Sequence, residues 1–491
     1  MKILVAIANY GTSHDGYLDQ LLTEYRSMRH EVHIVVLSNL PKSLGPDVEV
    51  VVGLPTSNPW SLPFGHKKIF AERVNDYDLF IYSEDDHLIS EHNIDSFMAL
   101  TPALPRDEVA GFMVSENDPE GGLNYCGVHS HFHWKADSVR HRGSYVVAEF
   151  SNEHSACYAL TRAQLHRAIQ SGGFLVEPHE GKYDLLCTAA TDPYTQCGFK
   201  RVVCVSHLDD FIVSHLPNKY VGILGVRTAD FHRQRDALLE IARGQRNPMQ
   251  LLAAETTLPD FKWSKFYYEP VRPEILKLVP PEARSVLSVG CGWGALEASL
   301  VEKGARVVAI PLDSVIASCA ESRGVETLSP DFESAWRQLE GEPFDCVVIS
   351  NILHLLPDPT AILARCADVL LPQGFVVLIE PNFTYLKVLW RRIRRMPGYR
   401  NLGNYDEAGV NLTTHRVIRR WLKSSGLAMD RVIEVVPERA VTFTRLLRVA
   451  RPYLASELIV VGRKAVRAHQ TVGSQRSESQ SESERRFTVP V

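Results

Sequence analysis

Residues 286–313 read VLSVGCGWGALEASLVEKGARVVAIPLD, and the fold of the second half of the chain is decided there. An apolar run ends in Gly290, Gly292 and Gly294, the next ten residues carry apolar side chains at helical spacing, and a second apolar run closes the stretch. Strand, tight turn, helix and strand make one βαβ unit. Its glycines sit at the carboxyl edge of a parallel sheet, where backbone without side chains can approach a ligand closely. The spacing is G-x-G-x-G and not the G-x-G-x-x-G of dinucleotide sites, so the turn alone predicts a cofactor-shaped place without saying which cofactor.

Around this unit, SVLSVG, RVVAIP, FDCVVIS, FVVLIE and SELIVVGRK are the predicted strands of an α/β series over 285–464. Over 1–220, KILVAIA, EVHIVVLSN, DLFIYSE and RVVCVSH alternate with helical stretches such as GYLDQLLTEYRSM and predict another α/β layer. Residues 221–284 are mixed and polar and read as a helical linker. The stretch 465–491 has too few apolar residues to offset its ordering entropy and is expected to be a disordered tail. A length of 491 residues suits two or three domains. A formal charge of -5 gives no bulk attraction to nucleic acid. The nine cysteines form no C-x-x-C pair, which argues against a disulfide framework or structural zinc and fits a reducing cytoplasm. MKILVAIANYG reads as a first buried strand, not a signal sequence, and no apolar run approaches the roughly 18 residues that span a bilayer. A soluble or peripheral chain is expected.

The glycine turn, the strand leading into SNILHLLPDP, and the helix, turn and strand of CADVLLPQGFVVLIEPN follow one another in an order that resembles a class I S-adenosylmethionine-dependent methyltransferase, over about Tyr267 to Lys464. The resemblance implies that Gly290, Gly292 and Gly294 lie against the methionine and ribose of S-adenosyl-L-methionine. It also implies that Asp331 lies near the adenine, that Asn351 and His354 face cofactor and acceptor, and that His354 helps deprotonate an acceptor hydroxyl. KFYYEPVRPEIL matches the segment that folds over the cofactor in such enzymes, which makes Tyr268 and Arg272 candidates. Two positions depart from the family: Ser288 and Pro311 stand where acids are usual. Loss of a charged hydrogen-bond partner costs about 1.5–3 kcal/mol, and Asp313, two residues past Pro311, is the candidate replacement. Farther on, the basic segment 387–395 beside Trp390 predicts either a solvated helix over the acceptor cleft or a peripheral contact with an anionic membrane.

In the first half, NDYDLFIYSEDDHLIS sets Glu84, Asp85 and Asp86 directly after the apolar run 79–82. Adjacent carboxylates repel unless a cation lies between them, and hard divalent ions bridge oxygen ligands to phosphates. With KILVAIANYG and PFGHKKIFAERVNDYD around it, this region resembles a GT-A-type glycosyltransferase. That resemblance implies Mg or Mn held by Glu84 and Asp86 with a nucleotide-sugar, His215 as a further metal or phosphate contact, and His66 and Lys67 near the diphosphate. Glu180 and Asp184 are its candidates for the base that takes the acceptor proton. His129, His131 and His133 alternate as if along one strand face and offer a weaker metal-site reading. The expected whole is a bifunctional transferase that couples glycosyl transfer to O-methylation of a sugar or glycan acceptor. The alternatives are a methyltransferase with a glycan-binding first half, and a non-catalytic scaffold.

Overall fold

The computed structural model describes residues 1–252, 254–256, 258, 261–328, 331–437 and 451–464. The tail expected over 465–491 lies outside the described residues.

In the first half, strands β1 (Lys2–Asn9), β2 (Glu31–Ser38), β3 (Val48–Val52) and β4 (Leu79–Glu84) run parallel in the order 3-2-1-4. The antiparallel strand β5 (Cys157–Thr161) covers the outer edge of β4. Helix α1 (Asp15–Ser27) buries Leu18, Leu21, Leu22 and Tyr25, a stripe at helical spacing that closes one face of this sheet. The residues of RVVCVSH do not join it. With β5 on the edge beside β4, strand β6 (Lys200–Cys204) pairs instead with Glu108–Ala110 and Tyr145–Ala148 in a separate small sheet. Strand β7 (Ile212–His215) lies in a third sheet, where His215 is opposite His87, three residues past the end of β4. Residues 129–133 form turns and not a strand: the amide of Phe132 donates to the carbonyl of His129, and Ser130 has φ 60°. The three histidines therefore do not share a face.

In the second half, β8 (Ser285–Cys291), β9 (Arg306–Pro311), β10 (Glu326–Thr327), β11 (Phe344–Ser350), β12 (Leu370–Pro381), β13 (Leu427–Val435) and β14 (Glu457–Lys464) form one sheet. Its order is third, second, first, fourth, fifth, seventh, sixth, and only the seventh strand, β14, runs antiparallel to its neighbours. The strands are apolar on both faces, as a sheet covered by helices requires. The two halves share a core in which Tyr125, Phe132, Trp134 and Phe231 belong to the same cluster as Tyr267, Leu287, Ile310 and Leu312.

Candidate functional site

The glycine turn stands where the sequence puts it, at the carboxyl end of β8. Gly290 and Gly294 both have φ 82°, a conformation that side-chain-bearing residues rarely adopt. The space next to each glycine is filled by protein. A Cβ on Gly290 would lie 3.2 Å from the side chain of Ile352, one on Gly292 would lie 2.2 Å from the carbonyl oxygen of Tyr267, and one on Gly294 would lie 2.8 Å from Ala320. The crevice left beside the turn holds about 20 Å³, roughly one water.

The chain fills its own crevice. The amides of Leu251 and Leu252 donate to the carbonyl of Leu312 at 2.9 and 3.2 Å, and Gln250 bridges to Asp313. The Tyr267 ring is fully buried, its hydroxyl accepts from Gln250 Nε2 at 3.1 Å, and its carbonyl takes the Trp293 amide at 2.9 Å. Asp313 is itself 1% exposed and caps the following helix, α6 (Ser314–Glu321), by accepting from the amides of Val315 and Ile316. Burial raises its pKa. As a ribose contact Asp313 needs correcting: its carboxylate is enclosed, with one oxygen committed to the helix cap. Pro311 is buried in the strand pairing with Cys291. The acid missing at Ser288 is partly restored by a residue the sequence reading passed over, Glu297 of helix α5 (Ala295–Glu302), to which the Ser288 hydroxyl donates at 2.6 Å.

Around the end of β11, Glu269 collects Lys265 Nζ at 2.5 Å, the Ser350 hydroxyl at 3.0 Å and the Asn351 amide at 3.1 Å. Asn351, His354, Glu269, Arg272, Trp263 and Phe266 line a cavity of about 410 Å³ on this side of the sheet. His354 is not free to act as a base. Its Nδ1 faces Glu380 and its Nε2 the carbonyl of Trp263, both at 2.7 Å, so both ring nitrogens are already engaged by the protein. Tyr268 turns away, donating to Gln234 at 2.9 Å, and Arg272 pairs with Glu274 and Glu457. Asp331 caps helix α7 (Phe332–Gln338) through Ser334 and lines none of these cavities. The tyrosine that enters the crevice is Tyr267, the neighbour of the one singled out from the sequence.

The acidic triplet of the first half is drawn together with histidines. Asp85 accepts from Asn9 at 2.8 Å and meets His14 at 2.9 Å. Asp86 meets His87 at 2.7 Å and His215 at 3.4 Å, while the other nitrogen of His215 meets buried Glu116 at 2.6 Å. Burial works against the charge on Asp86, yet the bonds from His215 and His87 hold its pKa far below the usual range. Burial, with Asp86 and Asp85 nearby, raises the pKa of Glu84, and one Glu84 oxygen is buried without a hydrogen-bond partner. Glu84, Asp86, His215, His129 and Lys219 face one cavity of about 270 Å³. Ligand atoms of Asp86, His87 and His215 lie within 4.8 Å of one another. The residues present fit a divalent cation, because it would offset the burial and the carboxylate repulsion that raise the pKa of Glu84. His87 and Glu116 are the members the sequence reading missed.

The other candidates lie elsewhere. Asp184 is exposed and caps helix α3 (Leu185–Thr195), and Glu180 is exposed in the loop before it; neither lines that cavity. His66 is buried between the Pro63 carbonyl and the Tyr158 hydroxyl, and Lys67 is buried in an ion pair with Asp192. Neither is available to a diphosphate. Of the three spaced histidines, His131 packs on Phe261 and His133 stacks on Tyr267 with ring centroids 4.1 Å apart.

A sheet in the order 3-2-1-4-5-7-6 with a glycine turn after its first strand defines a class I methyltransferase fold. Residues 263–432 match the family described as Methyltransferase domain. The Ubiquinone biosynthesis O-methyltransferase of Xylella fastidiosa (strain 9a5c) is 31% identical over 169 residues, 33% of this chain and 69% of that relative. The enzyme of the same name from Xanthomonas axonopodis pv. citri (strain 306) is 38% identical over 122 residues, 23% of this chain and 51% of that one. The chain belongs to the S-adenosylmethionine-dependent methyltransferase family, through its second half, and is an enzyme of that class. A solved methyltransferase from Mesorhizobium loti aligns at 19% identity and TM-score 0.29, over 39% of this chain and 96% of its own. Magnesium protoporphyrin IX methyltransferase from Synechocystis PCC 6803, solved with bound SAH, aligns at 16% identity and TM-score 0.28, over 39% of this chain and 80% of its own. S-adenosylmethionine is the methyl donor of the family. The crevice beside the glycine turn, with room for about one water, does not fit it.

Proposed function

We propose that the chain is a two-domain transferase of glycan assembly: the first half transfers a glycosyl group from a metal-bound nucleotide-sugar, and the second O-methylates a sugar or glycan acceptor. The observation that carries the first part is the meeting of Glu84, Asp86 and His215 on one cavity at the carboxyl end of β4, in a sheet whose order is 3-2-1-4. Open parallel sheets bind ligands at that edge. A Mg or Mn ion would be held by Asp86 with His215 or His87 and would neutralise diphosphate charge. The acceptor for methylation would enter the cavity bounded by Trp263, Phe266 and Arg272.

Manganese-dependent turnover across a panel of nucleotide-sugars tests this reading. Glu84→Ala and Asp86→Ala are each expected to lower it by about 100-fold or more; unchanged rates would remove both from the site. One observation favours a second reading, in which the first half only binds glycan: neither Glu180 nor Asp184 reaches the cavity to serve as a base. Silence across the panel, with glycan binding retained, would select it.

The same reading includes a peripheral membrane contact. Among the described residues no helix is long and apolar enough to cross a membrane. Helix α8 (Leu386–Ile393) instead exposes Leu386, Trp390 and Ile393, with Ile393 81% exposed, beside Arg392 and Arg394. An apolar stripe rimmed by arginines suits an anionic bilayer surface. Co-sedimentation with phosphatidylglycerol vesicles is expected to fall about tenfold in Trp390→Ala/Ile393→Ala. Equal partitioning of variant and parent would dismiss the contact.

A further inference from the structure

The misfit between the family's cofactor and this crevice has a definite chemical form. S-adenosylmethionine presents an ammonium, a carboxylate and an aromatic base. The segment that fills the crevice presents the same three groups. Lys265, 1% exposed, and Glu269 place an ammonium and a carboxylate 2.5 Å apart, and both line the residual space beside Gly290, Gly292 and Gly294. The ring of Tyr267 lies beside Gln250 and Asp313, at the end of the second strand. Gln250, Lys265, Tyr267 and Glu269 belong to the stretch between α4 (Thr228–Ala242) and β8, which is continuous with the methyltransferase sheet.

The stretch is held from outside that sheet. The Tyr267 amide donates to the Ser130 carbonyl at 2.8 Å, and the His133 ring lies parallel to the Tyr267 ring, 3° from coplanar, with centroids 4.1 Å apart. Ser130 and His133 belong to the first half of the chain. Their turn follows directly on His129, which lines the cavity of the acidic triplet.

We propose that residues 250–252 and 261–269 are an internal competitor for S-adenosylmethionine, clamped in the crevice by Ser130 and His133 of the first half. The inference rests on family membership and not on the glycosyl-transfer reading. Methyl-donor binding then requires the Tyr267 segment to leave, and the observed affinity is lowered by the fraction of molecules in which it is in place. A loosened turn at 130–133 favours the open form.

Calorimetric titration of the full chain with S-adenosylmethionine and with its demethylated product tests this. Tyr267→Ala removes the ring from the crevice, and His133→Ala weakens the clamp without touching it. Each variant that keeps a cooperative thermal melt is expected to bind about tenfold tighter than the parent, or more. If Tyr267→Ala does not fold, His133→Ala decides. Parent and variants binding with equal affinity would overturn the competitor. Folded variants that bind neither ligand would overturn it too, since the crevice would then be lost and not merely occupied.

Discussion

With Glu380 replaced by alanine, urea unfolding is expected to show a loss of about 3–5 kcal/mol, the range for removing one partner of a buried ion pair. Glu380 is fully buried at the end of β12 and accepts three bonds, from the amides of Leu353 and His354 and from His354 Nδ1. Alanine would strand all three donors in an interior without water, and a buried donor left unpaired costs more than the bond it had made. The turn that carries Asn351 and His354 along the acceptor cavity would loosen with it. Glu380→Gln keeps an acceptor for the amides and should lose less. A Glu380→Ala protein within about 1 kcal/mol of the parent would show that His354 is held by something else.

Asp192→Ala is expected to be comparably damaging for the same reason in the opposite sense. Lys67, 2% exposed, pairs with Asp192, which is fully buried, and its ammonium otherwise lies 4.3 Å from the centre of the Phe64 ring. Burial already pulls the pKa of Lys67 down against the pull of Asp192. Without the carboxylate the ammonium must shed its proton or force the helix α2 (Gly65–Glu72) outward, at a cost of about 3–5 kcal/mol. The double variant Lys67→Met/Asp192→Ala should recover most of that loss, because Met matches the volume of Lys and no ammonium is then left buried without a partner. If the double variant is as unstable as Asp192→Ala, the lysine was not the source of the cost.

These two residues also show where the sequence was legible and where it was not. Five of the seven strands of the second half, β8, β9, β11, β12 and β14, are visible as apolar runs, since a sheet covered on both faces needs them, whereas the two-residue β10 and the half-exposed edge strand β13 carry no such run and were not read. The glycine turn lies where the run of β8 ends. The acidic triplet is visible because three consecutive carboxylates follow an apolar strand, and adjacent carboxylates repel unless something lies between them. What the cluster touches is set by pairing across long separations: His215 reaches Asp86 only because β7 lies against His87. Lys67 looked like a phosphate ligand because nothing local announces Asp192, 125 positions away. His354 looked like a base because Glu380 and Trp263, its two partners, come from other elements. Tyr267 and Tyr268 are adjacent in one motif, and no pattern of period or spacing says which enters the crevice. Glu297 was legible in principle. It opens the helix after the turn, facing the strand whose acid is missing, and a search for a compensating carboxylate would have reached it.

The filled crevice is tested most directly by amide hydrogen exchange on the full chain without cofactor. The amides of Trp293, Tyr267 and Leu251, bonded to Tyr267, Ser130 and Leu312, should exchange about tenfold or more slower than those of an open loop, and should speed up when S-adenosylmethionine is added at saturation. Exchange of these three amides at the rate of an open loop, before any ligand is present, would mean that the segment does not occupy the cofactor's place.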